Sequence, residues 1–123
     1  MRVVLAEDNE TVRHGIRNLL NETADIEVVG EAENGVDALR LVDELAPDIL
    51  LLDVEMPYLN GIEVARRLRA DRRVIHILVL SAYSDKEYIQ AMLKSGVSGY
   101  LIKDEAPERI IECMRELMHT DHQ

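Results

Sequence analysis

Five short aliphatic runs, separated by stretches whose apolar residues recur at helical spacing, leave this chain few ways to fold. The runs are "RVVLA" (2–6), "IEVVGEA" (26–32), "ILLLD" (49–53), "HILVLS" (76–81) and "GYLI" (99–102). Most are nearly continuous in Val, Ile and Leu instead of alternating with polar residues. That is the pattern of strands covered on both faces, as in a parallel sheet. "IEVVGEA" is more mixed and reads as an edge strand.

The intervening segments predict helices over about 10–21 (Val12, Ile16, Leu19 and Leu20 on one face), 35–45 (Val36, Leu39, Val42 and Ala46) and 61–70 (Ile62, Ala65 and Leu68). Two more are expected over about 85–95, with Asp85 as N-cap before Ile89, Met92 and Leu93, and over about 106–118 (Ile110, Cys113, Met114 and Leu117). Gly30, Gly35, Gly61, Gly96 and Gly99 read as turn markers. Strand and helix thus alternate five times in a single domain spanning residues 1–123, with no linker, repeat or low-complexity segment. Such alternation predicts a doubly wound α/β fold: a parallel sheet, helices on both faces and right-handed crossovers. The flavodoxin-like (βα)5 arrangement has strand order 2-1-3-4-5.

Composition narrows the function. With neither Phe nor Trp, the core must be aliphatic. A net charge of −10 argues against direct nucleic-acid binding by this domain and suits basic partners or a bound cation. Cys113 is the single cysteine, so no internal disulfide forms; it reads as a small core residue. No stretch resembles a signal peptide or could span a bilayer, so no membrane association and a cytoplasmic location are expected. The four histidines lack metal-ligand spacing, and Met92, Met114 and Met118 read as packing residues.

What ends each strand is more telling. Glu7 and Asp8 follow the first, Asp53 closes the third, Ser81 closes the fourth, and Lys103 follows the fifth. In a parallel sheet these ends share one edge, and strands 1 and 3 meet at the topological switch point where ligands bind. Three carboxylates gathered there repel one another and raise one another's pKa. A hard divalent cation such as Mg²⁺ relieves that repulsion with oxygen ligands and a phosphate oxygen. Ser81 and Lys103 then read as phosphate contacts, a hydrogen-bond donor and a point charge. Together these groups suit phosphoryl transfer, with Asp53 as the nucleophile that receives the phosphoryl group.

The segments "AEDN", "LLLDVEMPYLNG", "VLSAY" and "GVSGYLIKD", in this order and spacing, make the whole chain resemble the receiver domain of bacterial two-component response regulators. The ending "GYLIKD" and the stretch "EVVGEAENG" are similar to the subfamily usually joined to a LuxR-type helix-turn-helix DNA-binding domain. The resemblance implies that Asp53 is the phosphoacceptor and that a phosphohistidine on a sensor histidine kinase is its donor. It implies Mg²⁺ held by Asp8, Asp53 and the backbone carbonyl of Glu55, with Glu7 acting through a water. Ser81 and Lys103 would contact the phosphoryl oxygens, and Tyr100 would turn inward as Ser81 moves. It also implies phosphorylation-dependent homodimerisation and, where the receiver is joined to a DNA-binding half, a transcriptional output; the chain reads either as an isolated receiver fragment or as a stand-alone receiver. Two positions depart from the family pattern. Tyr58 stands where a glycine is usual, in "MPYLNG". Asp104 stands where proline often follows the lysine, so a trans Lys103–Asp104 peptide is expected.

Plainer readings compete. Glu7, Asp8 or Asn9 could cap the first helix, Ser81 could be a turn residue, Lys103 a surface lysine, Tyr100 a fixed core residue and the Glu55 side chain a solvated acid. Competing functions are a haloacid-dehalogenase-type phosphohydrolase, which needs a second Asp where Glu55 stands; a flavodoxin-like FMN binder, whose phosphate loop "AEDNE" would repel; and a degenerate receiver, which would lack Asp53 or Lys103. For the homodimer, Ile111 and Met118 lie seven residues apart on a stripe beside the core face of the last helix. Gly15 on the first helix offers close approach. The face of the fourth helix and fifth strand is the rival interface.

Overall fold

The computed structural model describes residues 1–54, 56, 60–71, 74–81, 86–103 and 107–120, and of Tyr88, Pro107 and Thr120 the backbone alone. Strands and helices alternate as expected: β1 (Arg2–Ala6), α1 (Glu10–Asn21), β2 (Glu27–Ala32), α2 (Gly35–Leu45), β3 (Ile49–Asp53), α3 (Gly61–Ala70), β4 (His76–Ser81), α4 (Lys86–Lys94), β5 (Gly99–Ile102) and α5 (Pro107–Thr120). All neighbouring strands pair parallel, in the order β2-β1-β3-β4-β5. The mixed strand β2 is indeed an edge.

Successive strand residues point to opposite faces, so a strand apolar at every position feeds two cores. Val4, Ala6, Leu50, Leu52, Ile77 and Val79 pack on one face with α2, α3 and α4, through Ala38, Val42, Val64, Ala65, Leu68 and Met92. Val3, Leu5, Ile49, Leu51, Leu78 and Leu80 pack on the other with α1 and α5, through Leu20, Ile110 and Met114. β3 is buried along its whole length, Asp53 included. Cys113 packs half-buried at the edge of the second core.

Three helices start on asparagines. Asn9, Asn34 and Asn60 accept from the backbone N–H of Val12, Asp37 and Glu63 at 3.0, 2.8 and 3.0 Å, each satisfying an orphan donor of the first turn.

Several expected details change. Val12 and Val36, expected on buried faces, are exposed, as is Leu93. In α1 the face turns toward Arg13, Ile16 and Leu20; Arg13 and Leu20 are buried. In α2 it turns toward Ala38 and Val42, and a small Ala lets the helix lie close on the sheet. Ala46 does not extend the α2 face; it caps the helix in a left-handed conformation, φ 45°. Of the glycines expected to mark turns, Gly30 lies within β2, Gly35 and Gly61 begin helices and Gly99 begins β5. Gly96 is a turn, with φ +94°. Asp85, Tyr58 and the Lys103–Asp104 peptide lie outside the described residues.

Candidate functional site

The parallel register brings the polar strand ends to one edge. Ala6 lies opposite Leu52 and Asp53 opposite Leu80, so the residues after β1 sit beside the end of β3. The Glu7 N–H donates to the Ala32 carbonyl at 3.0 Å, carrying the β1 ladder one residue further. The Lys103 N–H does the same for β5, donating to the Ser81 carbonyl at 2.8 Å. Lys103 therefore leaves the sheet from its edge, and its long stem crosses the end of β4. Nζ reaches Glu7 Oε1 at 2.9 Å and Asp53 Oδ2 at 3.2 Å.

Glu7, Asp53 and Ser81 are buried and Asp8 is exposed, so the acid cluster opens to solvent on the Asp8 side. One oxygen from each of Glu7, Asp8 and Asp53 falls within 4.8 Å of the others. Three carboxylates against one ammonium leave two negative charges, which a divalent cation would cancel. The donors are all carboxylate oxygens, the ligand type that Mg²⁺ prefers. The residues present fit that ion. Glu55 lies outside the described residues.

Burial is the first cause of the site's electrostatics. It pushes the Glu7 carboxyl above its ordinary value; the hydrogen bond and charge of Asp53 push the same way, and Lys103 opposes them without prevailing. Repulsion among the acids was expected to raise their pKa; for Glu7 desolvation is the larger cause. Burial pulls Lys103 down, but its hydrogen bond to Glu7 and the charges of Asp53 and Glu7 outweigh this, so its ammonium is held more firmly than usual.

Two neighbours, Gly61 and Arg13, shape this edge beyond what the sequence signalled. At Gly61 a Cβ would lie 2.8 Å from Val54 Cα and 3.1 Å from Asp53 O. Only glycine lets the start of α3 pack there, with its N–H donating to the Val54 carbonyl at 3.0 Å. Arg13 is buried and donates from Nη1 to the Glu7 carbonyl at 3.0 Å. Its signal was the spacing 13, 16, 20, a helical stripe with a charge in it. Asn9 is the cap, as the plainer reading allowed, so Glu7 and Asp8 are left to the cluster.

Tyr100 is half-buried against the core under α2, α3 and α4, opposite Val79. Gly15 has open space where a Cβ would stand. It lines an apolar cavity of about 410 Å³ with Val12, Ile16, Leu101, Lys103 and Ile110. Ile111 and Met118 are half-buried against the second core. Met118 lines a second cavity with Asp48, Ile75, His76 and Ser98, at the opposite edge of the sheet from the Gly15 cavity. Gly15 and Met118 thus line different cavities.

The sequence matches the response regulator receiver domain family over residues 3–115. Among curated proteins it is 38% identical over 112 residues to the uncharacterized transcriptional regulatory protein YhcZ of Bacillus subtilis, covering 91% of this chain and 52% of that protein. It is 37% identical over 114 residues to the nitrate/nitrite response regulator NarL of Escherichia coli, covering 93% and 53%. The chain spans about half the length of these relatives. Among solved structures, the receiver domain of the putative response regulator NarL from Mycobacterium tuberculosis superposes with a TM-score of 0.91 at 32% identity, over 94% of both chains.

Proposed function

This chain belongs to the response regulator receiver domain family, and from that premise we propose that Asp53 is its phosphoacceptor, served by Mg²⁺, Lys103 and Ser81. The carrying observation is Lys103 Nζ bridging Glu7 and Asp53, with one oxygen each of Glu7, Asp8 and Asp53 within 4.8 Å of the others. That is a charged, oxygen-lined recess with a carboxylate nucleophile at its floor. An Asp53 oxygen attacks phosphorus and forms the P–O bond of an acyl phosphate. The P–N bond to a donor phosphohistidine breaks, and the departing imidazole keeps the electron pair. Glu7, Asp8 and Asp53 would hold Mg²⁺, Glu7 through a water, and the family resemblance adds the backbone carbonyl of Glu55. The bound ion supplies neutralisation of charge on the transferring group. Lys103 pairs with the new phosphoryl oxygens, and Ser81 donates to them.

Receiver domains of response regulators interact with sensor kinases, and a sensor histidine kinase is the proposed donor here. The output is proposed to be transcriptional, because the curated relative YhcZ is named a transcriptional regulatory protein. On this reading residues 1–123 are one receiver module that assists its own phosphorylation and dephosphorylation, and contact with DNA belongs to a LuxR-type helix-turn-helix domain wherever the receiver is joined to one. Among the described residues no helix is long and apolar enough to cross a membrane. Tyr100 is proposed to turn inward with Ser81, and the phosphorylated form to dimerise through α1 and α5, using Gly15, Ile111 and Met118. The open Gly15 surface supports this; the half-burial of the other two limits what they contribute.

The test is intact mass after incubation with acetyl phosphate and Mg²⁺. One added phosphoryl group is expected, absent with EDTA and absent in Asp53→Asn. Equal labelling of Asp53→Asn would sink the assignment. For the dimer, sedimentation with beryllofluoride and Mg²⁺ should show weaker association of Ile111→Ala plus Met118→Ala.

A further inference from the structure

Arg13 is buried on the face of α1 that an aliphatic residue would be expected to occupy. A guanidinium does not lose its charge in a protein, so its burial requires partners. It has three, one for each nitrogen. Nη1 donates to the Glu7 carbonyl at 3.0 Å, Nε faces Glu31 Oε1 at 3.4 Å, and Nη2 faces Glu33 Oε1 at 3.4 Å. Helical side chains lean toward the N-terminus, which brings the guanidinium over the turn carrying Glu7 and Asp8.

The placement has a specific consequence. β2 ends at Ala32, whose carbonyl takes the Glu7 N–H. Beyond that point β2 supplies no strand residue to donate to the Glu7 carbonyl; the Arg13 guanidinium supplies the donor instead. Glu31 and Glu33 lie on β2 and just after it, so Arg13 ties the β1–α1 turn to the neighbouring strand. Arg17 pairs with the same Glu31 at 3.4 Å and reinforces the clamp.

We infer that Arg13 is a positioning residue: it fixes the peptide between Glu7 and Asp8, and through it the spacing of the acid cluster that takes the divalent cation. This rests on the proposed Mg²⁺ site, and Arg13 itself touches none of the reacting groups. Groups that orient metal ligands typically change affinity by about 10- to 100-fold when removed.

The test is calorimetric titration of the metal-free protein with Mg²⁺, alongside thermal melts, for wild type, Arg13→Met and Arg13→Lys. Arg13→Met keeps the apolar stem and loses every donor. Its Mg²⁺ dissociation constant is expected to rise about tenfold, with Arg13→Lys recovering part of the loss. A lower melting temperature with an unchanged dissociation constant would make Arg13 merely structural and overturn the inference. Should Arg13→Met not fold, Arg13→Lys carries the test: a weaker constant supports the inference and an unchanged one overturns it. Wild type that binds no Mg²⁺ would refute the proposed site itself, a result distinct from either.

Discussion

Two contacts in this molecule have the same length and opposite consequences. Lys103 Nζ lies 2.9 Å from Glu7, and Arg115 Nη2 lies 2.9 Å from Asp25. On the surface, the hydrogen bond from Arg115 holds the Asp25 carboxyl below its ordinary value. At the sheet edge the Glu7 carboxyl is raised despite its lysine, because burial and the adjacent Asp53 outweigh the bond. Distance does not decide what an ion pair does; solvation does. The surface pair closes on itself. The buried cluster is left two negative charges out of balance, and that imbalance is what suits it to a divalent cation and a phosphoryl group.

The largest effect should come from Lys103→Met. Breaking a fully buried pair costs about 3–5 kcal/mol; with the lysine side chain 30% exposed, a loss of about 2 kcal/mol is expected in metal-free urea unfolding near neutral pH. No change would mean that the cluster is no stronger than a surface pair. Gly61→Ala should follow, at about 1 kcal/mol, because the new methyl meets the backbone of Val54 and Asp53. A neutral result would show that α3 can move without disturbing the cluster.

Glu7→Gln sharpens the comparison through pH. The folded protein holds the Glu7 proton more tightly than the unfolded chain does. Stability contributed by that proton is present below the ordinary value of 4.5 and is lost as pH rises through the higher folded value. Metal-free wild type should therefore lose more stability across that window than Glu7→Gln, in urea unfolding at a series of pH values. Equal slopes would place the Glu7 carboxyl in water. Asp25→Asn should do least, leaving the urea midpoint at moderate salt unchanged, since exposed pairs contribute little. A clear drop there would erase the contrast.

The five strands were legible because continuous aliphatic runs have one ready use in a small domain, a sheet covered on both faces. The convergence of Glu7, Asp8, Asp53 and Lys103 followed from parallel topology alone. The helices were less legible in detail. Apolar counting put Val12 and Val36 inside, whereas α1 turned to bury Arg13 and α2 to bury the smaller Ala38. A charge enters a core only when three-dimensional partners await it, and Glu31 and Glu33, on β2 and its exit, are invisible to a periodicity on α1. Gly61 was legible as punctuation, but not as the position where α3 meets the floor of the site.

The central claim is that Asp53, and neither of the acids beside it, takes the phosphoryl group. Borohydride tests it most directly, since hydride reduces an acyl phosphate to an alcohol with loss of phosphate. After treatment with acetyl phosphate and Mg²⁺, then borohydride, peptide mass mapping should find homoserine at position 53, with Glu7 and Asp8 unaltered. Reduction at Glu7 or Asp8, or an unreduced Asp53 in protein that carries the added phosphoryl mass, would contradict the account.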